Sequence, residues 1–192
     1  RLSYSEEMNR LLAVDYYGFY LIDAKDNSTI AERKFEDVTG EKFTLSLGDS
    51  YISKYIYDYF AVAVSTLKNE GVKLCIYDTK DGNLIDVADI AEGSVGAVKV
   101  YGDEAFVSVN YQAYETDFWD MDASVTDIYD FKIGQDGLEL KWKKSITGGS
   151  NSDIAVSSGG EGRYVACQFF DKLYVLDHGT GETVSIDSFD GA

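Results

Sequence analysis

The groups that could do chemistry in this 192-residue chain are few in kind: one histidine, two cysteines, and 34 carboxylates against 17 lysines and arginines. His178 stands in "YVLDHGTGETVSI" (174–186), an apolar run broken by a polar, glycine-bearing turn. A lone histidine needs a patterned partner before it reads as catalytic. None is spaced to it, so His178 reads as an exposed turn residue. Asp177 beside it, like Asp23 and Asp78 in similar stretches, reads as a turn former whose carboxylate accepts from backbone N–H groups. Cys75 and Cys167 read as buried free thiols, small hydrophobes in a core, and lean to a reducing or anaerobic setting. The sequence holds no P-loop, HExxH, CxxC, GxSxG or strand-borne GxGxxG. "SSGGEG" (157–162) has no following helix to hold phosphate and reads as a flexible hairpin loop. No cofactor is implied.

One stretch concentrates the remaining candidates. "NYQAYETDFWDMDASVTDI" (110–128) carries Tyr111, Tyr114, Phe118 and Trp119 among Glu115, Asp117, Asp120, Asp122 and Asp127. Aromatics of this kind are typical interface anchors, and long loops in compact domains tend to be functional. Asp117, Asp120, Asp122 and Asp127 could coordinate calcium, but the EF-hand order with its glycine is absent. No metal site is assigned. The expected partner-binding set is therefore Tyr111, Tyr114, Asp117, Phe118, Trp119, Asp120 and Asp122.

These residues must be positioned by a repeat. "LIDAKDNSTIA" (21–31), "IYDTKDGNLID" (76–86), "FKIGQDGLELK" (131–141) and "VLDHGTGETVS" (175–185) align with a turn residue at Asn27, Gly82, Gly137 and Gly181, at intervals of 55, 55 and 44. Ile30, Ile85, Leu140 and Val184 follow at the same intervals, and Leu21, Ile76, Phe131 and Val175 precede. Period-two burial running into a tight turn and out again is a β-hairpin. Upstream of each hairpin lies a denser apolar run, "RLLAVDY" (10–16), "YFAVAVS" (59–65), "AFVSVNY" (105–111) and "RYVACQFF" (163–170). Weaker first strands come before these, at 2–8, 51–57, 96–102 and 152–158. The fold class is all-β: four consecutive four-stranded antiparallel repeats, at a period that is the signature of β-propeller blades. The whole chain, 1–192, reads as one propeller domain or propeller fragment, with blades near 1–35, 51–90, 96–146 and 152–189.

The pattern aromatic-Val-Leu-Asp-x-x-Thr-Gly-Glu, whole only in 174–182, resembles the blade repeat of PQQ-like and WD-repeat-like bacterial propellers. The resemblance covers nearly the whole chain as architecture. It lacks the Gly-His and Trp-Asp pairs of eukaryotic WD repeats and the docking tryptophan of quinone enzymes, so it implies no quinone site. Repeat three departs further, with Asp130 and Lys132 where its siblings are apolar or aromatic. In an up-down meander the connector 36–50, the loop 65–73 and the insertion 110–127 emerge on one face, and the tight hairpins on the other.

A net charge of −17 and a pI near 4.3 disfavour nucleic acid and anionic membranes. No apolar run approaches the roughly 20 residues of a membrane span. The expected partner is a cationic or neutral protein or glycan, and the missing motifs favour a non-catalytic module. A carboxylate-dependent glycoside hydrolase or lyase, and a structural or sensor segment of a larger protein, are the alternatives. The chain starts at Arg1 and shows no targeting segment, which fits a processed or excised piece and leaves the compartment open. End blades would expose apolar faces that a second copy could cover, completing a ring.

Overall fold

Strands rich in β-branched and aromatic residues need paired edges and apolar faces to pack. The computed structural model supplies both, and describes residues 2–6, 8–42, 44–49, 59–66, 71–115, 118–134, 137–149, 151, 153–157, 163–169 and 171–189. Four four-stranded antiparallel meanders follow one another along the chain. The first is β1 (Leu2–Ser5), β2 (Arg10–Val14), β3 (Gly18–Asp23) and β4 (Thr29–Lys34). A single helical turn, α1 (Glu36–Thr39), leads to β5 (Thr44–Asp49), β6 (Tyr59–Thr66), β7 (Val72–Asp78) and β8 (Leu84–Ala91). The third sheet is β9 (Ser94–Tyr101), β10 (Glu104–Glu115), β11 (Phe118–Gly134) and β12 (Gly137–Thr147). The fourth is β13 (Asp153–Val156), β14 (Tyr164–Gln168), β15 (Lys172–Asp177) and β16 (Thr183–Ser188). Among the described residues, no helix is long and apolar enough to cross a membrane.

Two details correct the sequence reading. The second sheet opens with β5 at Thr44–Asp49, inside the stretch expected to be connector, whereas 51–57 lies outside the described residues. Repeat three is also displaced by one residue. In the other sheets the third and fourth strands pair Leu21↔Ala31, Ile76↔Asp86 and Val175↔Ser185, each beside a bulge at Ile30, Ile85 or Val184. In the third sheet the corresponding pair is Asp130↔Trp142 and the bulged residue is Lys141. Its hairpin pairs out to Gly134↔Gly137, so its arms hold two residues more than those of its siblings. Aligning on the turn glycine therefore put Phe131, rather than Asp130, in the column of Leu21 and Ile76.

The turns of the other three sheets are superposable in their bonding. Asn27, Gly82 and Gly181 donate their N–H to Asp23, Asp78 and Asp177 carbonyls at 2.8, 2.9 and 2.8 Å. Each of these residues has φ between 61° and 71°. The aspartate Oδ1 atoms accept from the N–H of Lys25, Lys80 and Gly179, as their turn-forming role requires.

Sheets pack face to face in chain order, through three core clusters. The first joins sheets one and two around Phe19, Phe35, Phe60 and Tyr77. The second joins sheets two and three around Leu74, Ile76, Val100, Val107 and Phe131. The third joins sheets three and four around Phe106, Ile128, Trp142, Val165 and Leu176. Cys75 and Cys167 are buried in the first and third clusters, and burial pushes both thiols up to about 12. No core cluster among the described residues contains both the first and the fourth sheet.

A steric fit recurs at each junction. The fourth strand of one sheet lies against the turn glycine of the next: Ala31 on Gly82, Asp86 on Gly137 and Trp142 on Gly181. A Cβ on any of these glycines would come under 3.0 Å from the residue it faces. A polar bond seals each one. Arg33 donates to the Asp81 carbonyl and Asn83 Oδ1, Leu138 N–H to Asp86 Oδ2, and Trp142 Nε1 to the His178 carbonyl.

Gly82→Ala and Gly181→Ala should each lower the melting temperature by more than Gly40→Ala does. All three sit at positive φ, but nothing lies within 4 Å of a Cβ at Gly40. Backbone strain alone should cost Gly40→Ala roughly 1 kcal/mol, or about 2–4 °C in a domain of this size. Equal losses in a thermal melt would show that the junctions have room to spare.

Candidate functional site

The insertion of repeat three is built as strand. Alternating residues such as "YQAYE" suit a ribbon, and β10 and β11 continue pairing after their neighbours in the sheet have stopped. β9 reaches only Asn110, through Ser94, and β12 only Val125, through Thr147. Beyond them the hairpin runs on as Ala113↔Asp120, Tyr114↔Trp119 and Glu115↔Phe118, after a register shift past the Tyr111↔Val125 pair. The expected decorated loop is thus a two-stranded arm standing out of its sheet. It brings Tyr114, Phe118, Trp119 and Asp120 into one short stretch of ladder, with Asp122 in the irregular segment of β11. Asp117 lies outside the described residues.

The arm is rooted in buried polar contacts. Tyr111 is half-buried and shares a hydrogen bond with Tyr129; burial and that bond raise its pKa. Asp127, one of the four candidate calcium ligands, is buried with Lys143 Nζ 2.6 Å from its Oδ2. Ser145 Oγ donates to its Oδ1 at 2.6 Å, and Tyr129 OH to Oδ2 at 3.3 Å. Both Asp127 oxygens are thus engaged within the sheet. Among the described residues no group of three His, Cys, Asp or Glu side chains could hold a metal ion.

Asn151 clips the third sheet to the fourth immediately below the arm. Its Oδ1 accepts from Ser108 Oγ at 2.7 Å, and its carbonyl accepts from Asn110 Nδ2 at 3.1 Å. Its own Nδ2 donates to the carbonyls of Asp153 and Gln168. Thr126 Oγ1 completes the network by donating to Asn110 Oδ1 at 2.8 Å. Gly96 leaves the space that this network needs, since a Cβ there would meet Ser108 Oγ, Asn110 Nδ2 and the Asn151 carbonyl at 2.6 Å.

Sequence reasoning missed a second polar centre, at the opposite end of the same junction. His178 is not the exposed turn residue expected: it is 7% exposed, packed 5.5 Å from the Phe106 ring centroid. Its Nε2 lies 2.6 Å from Glu104 Oε2, an ion-pair distance without an aligned N–H bond. Lys141 bonds Glu104 Oε1, and its Nζ is 3.3 Å from Asp130 Oδ2. Asp130 is fully buried, with neither carboxylate oxygen accepting a hydrogen bond. Burial, reinforced by the charge of Glu104 and opposed by Lys141, pushes its pKa up to about 7. Burial pulls Lys141 down, but its bond with Glu104 and the charges of Asp130 and Glu104 outweigh that and raise it. The signal was present in the sequence as Asp130 in an otherwise apolar run; the partner contributed by the next sheet's turn could not be read there.

A carboxyl whose folded pKa is raised contributes stability that is complete below its unfolded value and is lost as pH rises through the folded one. For Asp130 that window runs from about 3.8 to about 7. Asp130→Asn, neutral throughout, should therefore melt above the natural chain at pH 8 and converge with it only below about pH 3.8. The gap at pH 8 should be on the order of 10 °C. Melting curves at both pH values test this, and a gap independent of pH would rule out the burial of an ionising carboxyl.

No known family model matches the chain, and no curated protein matches it. Among solved structures, a mutant of the Synechocystis apocarotenoid oxygenase superposes with a TM-score of 0.52 at 13% identity, over 96% of this chain and 47% of that one. Kluyveromyces lactis Hsv2, with complete loop 6CD, aligns with a TM-score of 0.36 at 10% identity, over 97% of this chain and 62% of Hsv2. The chain thus spans about half the length of the oxygenase, and the likeness is one of fold.

Proposed function

We propose that the chain is a run of four β-propeller blades acting as a non-catalytic binding module. It grips a protein or glycan partner through the arm formed by the extension of β10 and β11. The observation that carries this reading is the continued pairing of the arm after both flanking strands have ended. A ribbon that neither flanking strand of its sheet pairs with offers its edges to a partner outside the sheet. Tyr114, Phe118 and Trp119 act as anchors, while Asp120 and Asp122 steer a cationic or hydroxyl-rich ligand. The buried Glu104, Asp130 and His178, with Lys141 at their edge, serve the junction between sheets, and no catalytic step is assigned to them.

Trp119→Ala should leave the melting temperature within about 2 °C of the natural chain and weaken partner binding about 30-fold, the loss expected of an aromatic anchor worth about 2 kcal/mol. Asp120→Asn should make association less sensitive to salt. A printed glycan array, and photo-crosslinking from the arm to a candidate cationic protein, identify the partner on which these variants are measured. A destabilised Trp119→Ala chain that binds normally would end the proposal, because the tryptophan would then be holding the fold.

A further inference from the structure

What ends the two strands beside the arm is as specific as the arm itself. β9 begins at Ser94, opposite Asn110, and the chain reaches it through Gly93 at φ 132°. A Cβ at Gly93 would come 2.8 Å from Val109 Cγ1 and 2.9 Å from the Asn110 carbonyl oxygen, so the connector meets β10 there. On the other side β12 ends at Thr147, and Gly148 and Gly149, at φ 100° and 113°, carry the chain across the root of the arm. It is held there by Thr126 Oγ1, which donates to the Gly149 carbonyl at 3.1 Å, and by the Asn151 N–H, which donates to Asn110 Oδ1 at 3.1 Å.

Of the arm's two edges, that of β10 is the regular one. The register shift sets a single β10 residue, Gln112, against residues 121–124 of β11. Among the described residues nothing pairs with the β9 side of β10 at 111–115. Edge strands are commonly blunted by lysine, proline or a bulge. Residues 111–115, "YQAYE", contain no lysine and no proline, and the irregularity lies on β11.

Charge selects what can pair there. Between Lys99 and Lys132 there is no lysine or arginine, and residues 111–125 carry Glu115, Asp117, Asp120 and Asp122. Glu92, just ahead of β9, is exposed as well. A second arm would bring the same charges, and like charges opposed across strands are destabilising. A basic strand would meet opposite charge. A glycan lacks the evenly spaced main-chain N–H and C=O groups that extend a ladder.

We infer that residues 111–115 of β10 form a strand-addition site for an extended, lysine- or arginine-bearing segment of a partner protein, which takes up the line of β9 beyond Ser94. The inference rests on the arm being the partner site and names what it grips. Main-chain hydrogen bonds set the register, and the carboxylates select for basic residues.

The probe is a short acetylated and amidated peptide of alternating lysine and threonine, with its glutamate counterpart as control. With the lysine peptide at about ten times its Kd, amide hydrogen exchange at 111–115 should slow about tenfold, and binding should weaken as salt rises. N-methylating the peptide's backbone removes donors and keeps every charge, and should weaken binding about tenfold or more. The chain carrying Glu115→Lys and Asp122→Lys keeps the edge and should prefer the glutamate peptide. Circular dichroism and a thermal melt confirm that it folds; should it unfold, the methylated peptide decides. Exchange at 111–115 that the lysine peptide leaves unchanged at its highest soluble concentration would overturn the inference. So would a methylated peptide that binds equally well, because the contact would then be one of charge alone. A glycan that binds through Trp119 where the peptide does not would remove strand addition and leave the arm's proposed role standing.

Discussion

Bare backbone at the turn of each following sheet is the constraint on which the arrangement depends. A strand can approach a neighbouring hairpin closely only where that hairpin lacks a Cβ, and Gly82, Gly137 and Gly181 provide the gap at the three junctions. The same residues satisfy a local demand, because their turns need positive φ. One atom's absence thus serves the hairpin and the packing between sheets. It also fixes the separation at which the three core clusters form, and hence which side chains are drawn into them.

At the junction between the third and fourth sheets that separation is imposed on polar residues. Asp130 occupies the place of Leu21 and Ile76, yet Trp142 lies as close to a Cβ position at Gly181 as Ala31 does at Gly82. A buried carboxylate without donors would be costly. Lys141, displaced outward by the bulge, and Glu104, at the start of β10, bring compensating and competing charge to it. The turn of the fourth sheet adds His178, whose carbonyl also holds Trp142. At the other end of the same junction, Asn151 leaves none of its polar groups idle.

Much of the architecture was legible because it repeats. Alternation and the turn residues located the hairpins, since a residue at positive φ leaves a mark at a fixed offset from the strands it joins. The misreadings have particular causes. β5 was missed because "TLSLGD" has only two large apolar residues, fewer than the tyrosine-rich 51–57. The third repeat slipped by one because its hairpin is longer, and a turn glycine marks the turn without marking the register. His178 was misplaced because its burial is caused by residues more than 30 positions away, Phe106 and Trp142 among them. The arm was legible as an insertion, but its extension as paired strand depends on a partner strand that local sequence does not specify.

The first and last junctions are made of different materials. Phe19, Phe60 and Tyr77 stack within 4.7–5.4 Å of one another between sheets one and two, where Phe19 lies edge-on to both other rings. Between sheets three and four, an apolar cluster is joined by the Asn151 network and by the close approach of His178 Nε2 to Glu104. Exposing apolar surface raises the heat capacity and exposing polar surface lowers it. The free energy holding the aromatic junction therefore curves more strongly with temperature than that holding the polar one. Cooling weakens apolar association, so the attachment of the first sheet fades further toward the cold than that of the fourth, whose apolar cluster is supplemented by polar bonds.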